Sequence, residues 1–158
     1  MKRFFQTIRP YLFSVLLALA VGGLSAWVTR GAMEAFASLR QPPLSPPGWL
    51  FPVVWTVLYT LMGISAALIW RTDRLRRDAP LWRYGVQLFL NFWWPVLFFL
   101  LEARLAAFFL LLALIAAVLW MLRGFARLSR TAAWLNAPYL LWLLFAGYLN
   151  LGMYLLNR

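Results

Sequence analysis

The sequence contains no cysteine and no histidine, and only four acidic residues: Glu34, Asp73, Asp78 and Glu102. Without thiols there is neither a disulfide framework nor thiolate chemistry. Without imidazole the usual general base, the commonest transition-metal ligand and the commonest protein ligand of haem iron are all missing. All four carboxylates lie outside the long apolar runs, so a catalytic acid pair inside a bilayer is excluded and no metal site is expected. Charge of either sign is absent from Pro10 to Thr29, Gln41 to Trp70, Tyr84 to Leu101, Leu105 to Leu122 and Thr131 to Asn157, runs of 20, 30, 18, 18 and 27 residues.

What is present is apolar. Hydrophobic residues make up 65% of the 158 positions and charged residues 12%, too few to cover a soluble domain of this size. At about 1.5 Å per residue even the shortest uncharged run approaches the ~30 Å thickness of a hydrocarbon core. A backbone in lipid must satisfy its own hydrogen bonds, which leaves helices or a closed barrel. Period-two alternation is missing, and Phe108 to Met121 is apolar all round, so a barrel is rejected. The expectation is an all-α polytopic membrane protein, a single five-transmembrane-helix domain over 1–158. Its helices are placed at about 8–29, 47–70, 81–101, 105–123 and 131–156, with a long Pro-rich loop at 30–46. The first apolar run follows Lys2 and Arg3 but lacks a small-x-small exit, so it is read as a retained helix rather than a cleaved signal.

The net charge of +11 does not indicate nucleic acid, because the basic residues lie between spans rather than on one soluble face. Eleven Lys and Arg fall at one end of the expected bundle and four, Arg30, Arg40, Arg104 and Arg158, at the other. The excess belongs in the cytoplasm, placing the N-terminus there and the first loop and C-terminus opposite. The segment from Arg71 to Asp78 reads first as a solvated, topogenic loop, with binding of anionic lipid as the alternative.

Ser14, Ala18, Gly22 and Ala26 recur every fourth residue on the first helix, a small-residue face suited to close packing within the chain or in a dimer. Four prolines between Pro42 and Pro47 stiffen the first loop, which is read as a lid built from Arg40, Pro42, Pro43, Pro46 and Pro47, with a simple rigid spacer as the alternative. Pro46 and Pro47 suit the first turn of the second helix and Pro138 the first turns of the fifth. Pro95, inside the third, should kink it or free a carbonyl.

Ten tryptophans exceed what two interfacial belts need. Trp27, Trp70, Trp82, Trp120 and Trp134 fall near helix ends and read as belt anchors; Trp49, Trp55, Trp93, Trp94 and Trp142 lie deeper or border the Pro-rich loop. Gln87 and Asn91 share a face with Trp94 one turn on. Tyr139, Trp142, Ala146 and Asn150 form a second stripe, and Thr56, Tyr59, Thr60 and Gly63 a third. Amides in lipid are costly unless paired, so Gln87, Asn91 and Asn150 should point inward, as helix glue or as pocket wall. An aromatic pocket with few polar groups suits a large, flat, hydrophobic ligand such as a tetrapyrrole or a sterol.

Three motifs then carry a family resemblance. They are Pro46-Pro47-Gly48-Trp49 with Val53 to Tyr59 and Met62-Gly63; Gln87 to Pro95 with Phe98-Phe99; and Pro138 to Trp142 with Phe145-Ala146 and Leu149-Asn150. Together, and in this order, they resemble the translocator protein family, also called tryptophan-rich sensory proteins or peripheral benzodiazepine receptors.

The resemblance implies a five-helix bundle, commonly a homodimer in the lipid bilayer, that binds porphyrin, haem, sterols or benzodiazepine-type ligands beneath the first loop. It implies no required cofactor, only porphyrin or haem as bound ligand, and a bacterial cell membrane as the location. The candidate ligand-binding set is Trp49, Trp55, Tyr59, Asn91, Trp94, Tyr139, Trp142 and Ala146. Trp55 and Trp142 match the tryptophans tied in the family to porphyrin binding and its light-dependent breakdown, the only catalytic candidates. Arg40 is a candidate partner for a propionate. Leu149, Tyr154 and Arg158 satisfy the loose sterol-recognition pattern. Ala35 and Phe36 replace the Trp-Tyr pair common in the first loop, and Leu44 stands where an aromatic is frequent. Binding in tetrapyrrole handling, transport or stress sensing is the leading expectation, with a light-dependent porphyrin-degrading enzyme and a hydrophobic-metabolite transporter as alternatives.

Overall fold

Helix α1 runs from Lys2 to Thr29, through Pro10, and buries Ala18, Ser25 and Thr29 along one side. The computed structural model from which this is read describes residues 2–32 and 36–158, with the side chains of residues 2–6 excepted; Glu34 and Ala35 lie outside the described residues. The small-residue face of α1 packs within the chain, against α2 (Leu50–Trp70). A Cβ on Gly22 would enter the Tyr59 ring, and one on Gly63 would meet the backbone of Val15, so each glycine marks a close approach. Ala26, expected on that face, is exposed.

The helix α2 begins three residues later than the proline pair suggested. Pro47 biases Pro46 toward extended backbone, and Pro52, in the first turn, occupies the place where a missing amide hydrogen is harmless. The helix α3 (Arg74–Pro95) begins seven residues before the expected start, inside the segment read as a loop. Asp73 caps it, accepting from the Leu75 amide at 3.4 Å, and the helix passes through Pro80. The carbonyl deprived by Pro80 belongs to Arg76, which is exposed and open to water.

Pro95 ends the regular part of α3. A π turn follows over Val96–Leu100, and the Val96 amide bonds to the Trp93 carbonyl instead of Phe92. The freed Phe92 carbonyl accepts from the Ser25 hydroxyl of α1 at 3.2 Å. The chain turns at Glu102, whose φ is 51°, into α4 (Arg104–Leu128). This helix continues past Arg123, the expected end, because Phe125 is fully buried and stacks on Tyr84 with ring centroids 6.3 Å apart.

The last rod is divided into α5 (Arg130–Trp134) and α6 (Ala137–Leu156) rather than running unbroken from 131. Pro138 lacks the amide that would continue the ladder. Asn136 fills the break, its Nδ2 donating to Ser65 Oγ at 2.6 Å and to the Ala132 carbonyl at 2.9 Å. Inside the bundle α6 packs chiefly on α4, and α4 on α3, whereas the backbones of α2 and α6 stand apart. Aromatic side chains fill the gap between them.

Trp27, Trp70, Trp82, Trp120 and Trp134 are all exposed, as belt anchors should be. Arg30, Arg77 and Arg83 lie over Trp27, Trp70 and Trp120 at 5.1, 4.3 and 4.6 Å. Among the described residues four rods are long and apolar enough to cross a membrane: Thr7–Ala32, Leu50–Trp70, Arg104–Leu128 and Arg130–Leu156. The helix α3 is not among them, because Arg74, Arg76, Arg77, Asp78 and Arg83 crowd its first half.

Candidate functional site

The gap between α2 and α6 forms a cavity. Phe51 and Trp55 come from α2, Trp94 from α3, Phe98 and Phe99 from the π turn, and Trp142, Ala146, Leu149, Asn150 and Met153 from α6; Phe36, Gln41, Ser45 and Pro46 of the first loop close the end. The hollow measures about 490 Å³ to its open mouth, and the free room at its heart is about 30 Å³, enough for a water or two. The π turn makes part of this wall. By letting Phe98 and Phe99 follow Trp94 on the same side, it builds a contiguous patch: Trp94 stacks on Phe98 at 5.4 Å, and Phe99 meets Phe36 edge-on at 5.1 Å.

Behind the wall a chain of buried polar groups joins three helices. The Tyr59 hydroxyl donates to Asn91 Oδ1 at 2.7 Å, Asn91 Nδ2 donates to the Tyr139 oxygen at 2.6 Å, and Tyr139 donates to Gln87 Oε1 at 2.9 Å. Gln87 Nε2 reaches Met62 Sδ at 3.7 Å. A second link joins Trp94 Nε1 to Asn150 Oδ1 at 3.1 Å, and Asn150 Nδ2 to the Arg104 carbonyl at 2.8 Å. These bonds satisfy the amides that the bilayer would otherwise penalise.

Of the residues expected to bind ligand, Trp55, Trp94, Trp142 and Ala146 line the cavity. Tyr59, Asn91 and Tyr139 stand one layer back, buried and linked by hydrogen bonds through Asn91, and the two tyrosines meet Trp55 in ring contacts at 5.4 and 6.2 Å. Trp49 does not join them: it caps the start of α2 and is 67% exposed. Six residues separate it from Trp55, about 240° around a helix, so the two cannot share a face. Thr56 and Thr60 likewise turn away, each donating to its own helix backbone.

The first loop is fastened to α6 at three places. Asn157 brackets Arg40, accepting from its amide at 3.0 Å and donating to its carbonyl at 2.8 Å. Tyr148 donates to the Pro43 carbonyl at 2.9 Å, and Pro42 seats on Gly152 so closely that a Cβ there would come within 2.7 Å of the ring. Pro46 faces the cavity, while Pro47 and the Arg40 side chain do not line it. The sterol-pattern residues are divided: Leu149 lines the cavity, whereas Tyr154 and Arg158 line a separate hollow. Residues 149 and 154 lie about 140° apart around a helix, which explains the division.

Phe51, Gln41, Ser45 and Met153 were missed by sequence reasoning. Phe51 is one turn before Trp55, and Met153 is seven residues after Ala146, so extending each stripe by a turn would have found them. The loop residues carry no such periodicity. Among the described residues no Lys, Arg, Asp or Glu lines the cavity, and no cluster of His, Cys, Asp or Glu could hold a metal ion. The arrangement offers stacking surface and a few amide and hydroxyl groups, suited to non-covalent binding of an apolar ligand.

A helical membrane protein with an aromatic cavity closed by a proline-stiffened loop is thus defined by the residues themselves. A sequence model of the TspO/MBR family matches residues 14–156, and the chain belongs to that family. It is 37% identical to the tryptophan-rich protein TspO of Archaeoglobus fulgidus, over 96% of this chain and 99% of that one. It is 35% identical to the tryptophan-rich protein TspO of Chlorobaculum tepidum, over 89% and 91%. The translocator protein of Bos taurus is 38% identical, over 94% and 90%.

Proposed function

We propose that this protein binds a flat hydrophobic ligand of the porphyrin or haem type between α2, α3 and α6, in tetrapyrrole handling, transport or stress sensing. The observation that carries the reading is a cavity walled by Trp55, Trp94 and Trp142, with no charged side chain among the described residues of its lining. Such a slot rewards stacking and burial. The free room is smaller than a macrocycle, so binding requires the loop and the rings beneath it to move apart. A sterol-like ligand fits the same chemistry, but the separation of Leu149 from Tyr154 and Arg158 weighs against the sterol pattern acting as one site.

In this reading α3 is a fifth span, its uncharged stretch from Tyr84 carried through the π turn to Leu101. The N-terminus is cytoplasmic, the first loop and C-terminus lie opposite in a bacterial cell membrane, and the protein works as a homodimer. Titrating the detergent-solubilised protein with protoporphyrin should quench Trp fluorescence saturably. Unchanged affinity in protein carrying both Trp55→Phe and Trp142→Phe would reject the site. A second reading, light-dependent breakdown of the porphyrin, is favoured by the placement of Trp55 and Trp142 on the same cavity. Illumination that alters the bound porphyrin spectrum only when both tryptophans are present would establish it over storage; protein-dependent porphyrin flux in vesicles would instead support a transporter.

A further inference from the structure

A second hollow, unused by that function, lies between the α3–α4 turn and the end of α6, and measures about 890 Å³ to its wide mouth. Its wall includes Glu102, Arg104, Leu105, Phe109, Tyr154 and Arg158. The Arg104 side chain is only 15% exposed and pairs with Glu102 Oε2 at 3.3 Å, while its Nε is buried without a partner. A guanidinium held on the wall by a single, largely exposed carboxylate can exchange that partner for another anionic acceptor. Arg158 adds a second cationic side chain to the wall, beside Glu102, whose side chain is 62% exposed.

Below the cations the character changes. Leu105 and Phe109 are 40% and 61% exposed, and Leu112 continues the row at four- and three-residue steps along α4. A soluble anion has no use for this apolar row; an amphiphile does. We propose that the hollow binds the headgroup of an anionic phospholipid, Arg104 and Arg158 pairing with its phosphate while the acyl chains lie along Leu105, Phe109 and Leu112. Asn157 also lines the hollow, so the lipid touches the residue that brackets Arg40.

The absence of cysteine makes the test clean. Protein carrying Leu112→Cys is labelled with a bimane fluorophore and placed in phosphatidylcholine vesicles containing a minority of phosphatidylglycerol. Bromine on the acyl chains of either lipid quenches the label on contact. Brominated phosphatidylglycerol should quench as though enriched at the label by about five-fold for each unpaired cation. Adding Arg104→Gln and Arg158→Gln should reduce that enrichment to the bulk ratio, whereas Arg74→Gln with Arg76→Gln, at the other end of the bundle, should leave it unchanged. Circular dichroism checks that each variant remains helical, and Arg158→Gln alone, at an exposed position, should give a partial loss if the double variant misfolds. Equal quenching by both brominated lipids, or enrichment that survives loss of both arginines, would each overturn the proposal.

Discussion

The indole of Trp94 and the amide of Asn150 are joined across the bundle at 3.1 Å, and the other end of that amide holds the Arg104 carbonyl at 2.8 Å. One asparagine therefore fixes the orientation of a cavity ring and ties α6 to the start of α4. In Trp94→Phe the aromatic surface largely survives but Asn150 Oδ1 loses its donor. The expected cost is about 1–3 kcal/mol, read as a lowered unfolding midpoint in detergent. A midpoint equal to that of the unaltered protein would show that this bond does not hold the helices.

Asn91 bonds two phenols at once, so its loss leaves the Tyr59 hydroxyl without its acceptor and removes the donor to Tyr139, which keeps only its bond to Gln87. Asn91→Leu should destabilise by about 2–4 kcal/mol, more than Tyr59→Phe at about 1 kcal/mol. Because the groups form one network, the double variant should cost less than the sum of the singles, with a coupling of at least about 0.5 kcal/mol. Additive effects in such a cycle would contradict the linked arrangement.

Gly63 offers a steric test of the α1–α2 contact. Gly63→Ala pushes a methyl group into the backbone of Val15, which cannot rotate aside, and should cost about 1–3 kcal/mol. Gly85 has nothing near its Cβ direction and lies within α3, so Gly85→Ala should be neutral or stabilising by up to about 1 kcal/mol. Thermal denaturation of the two variants side by side decides it.

In the loop, Leu44 adopts φ 67° and is 82% exposed, at the third position of a turn closed by the Ser45 amide and hydroxyl on the Pro42 carbonyl. Left-handed backbone costs a non-glycine residue about 1–2 kcal/mol, part of which glycine returns through its freer unfolded chain. Leu44→Gly should therefore stabilise by about 0.5–1 kcal/mol, without loss of packing. Limited proteolysis of the first loop would register the gain as slower cleavage.

Much of this architecture was readable in advance because lipid enforces it. The uncharged runs gave the rods, and the cost of an unpaired amide pointed Gln87, Asn91 and Asn150 inward, where all three are buried. Helix ends were less legible, since they depend on single local partners: Asp73 starts α3 inside a basic segment, and Asn136 divides the last rod by bonding to Ser65, 71 positions away. The cavity was legible where a stripe of period three or four carried it, as in Trp142, Ala146 and Asn150. It was misread at Trp49, which belongs to the motif in sequence but to the surface in space. Tyr59, Asn91 and Tyr139 share stripes with cavity residues in sequence, yet hydrogen bonding through Asn91 draws them behind the rings.

All three catches of the first loop, at Asn157, Tyr148 and Gly152, are carried by α6 or the residue just after it, and α6 also supplies Trp142 and Ala146. Roof and side wall are consequently bolted to the same beam. If the end of that beam leans outward, the two travel together like a hinged shutter, widening the slot while the proline-rich strap keeps its own shape.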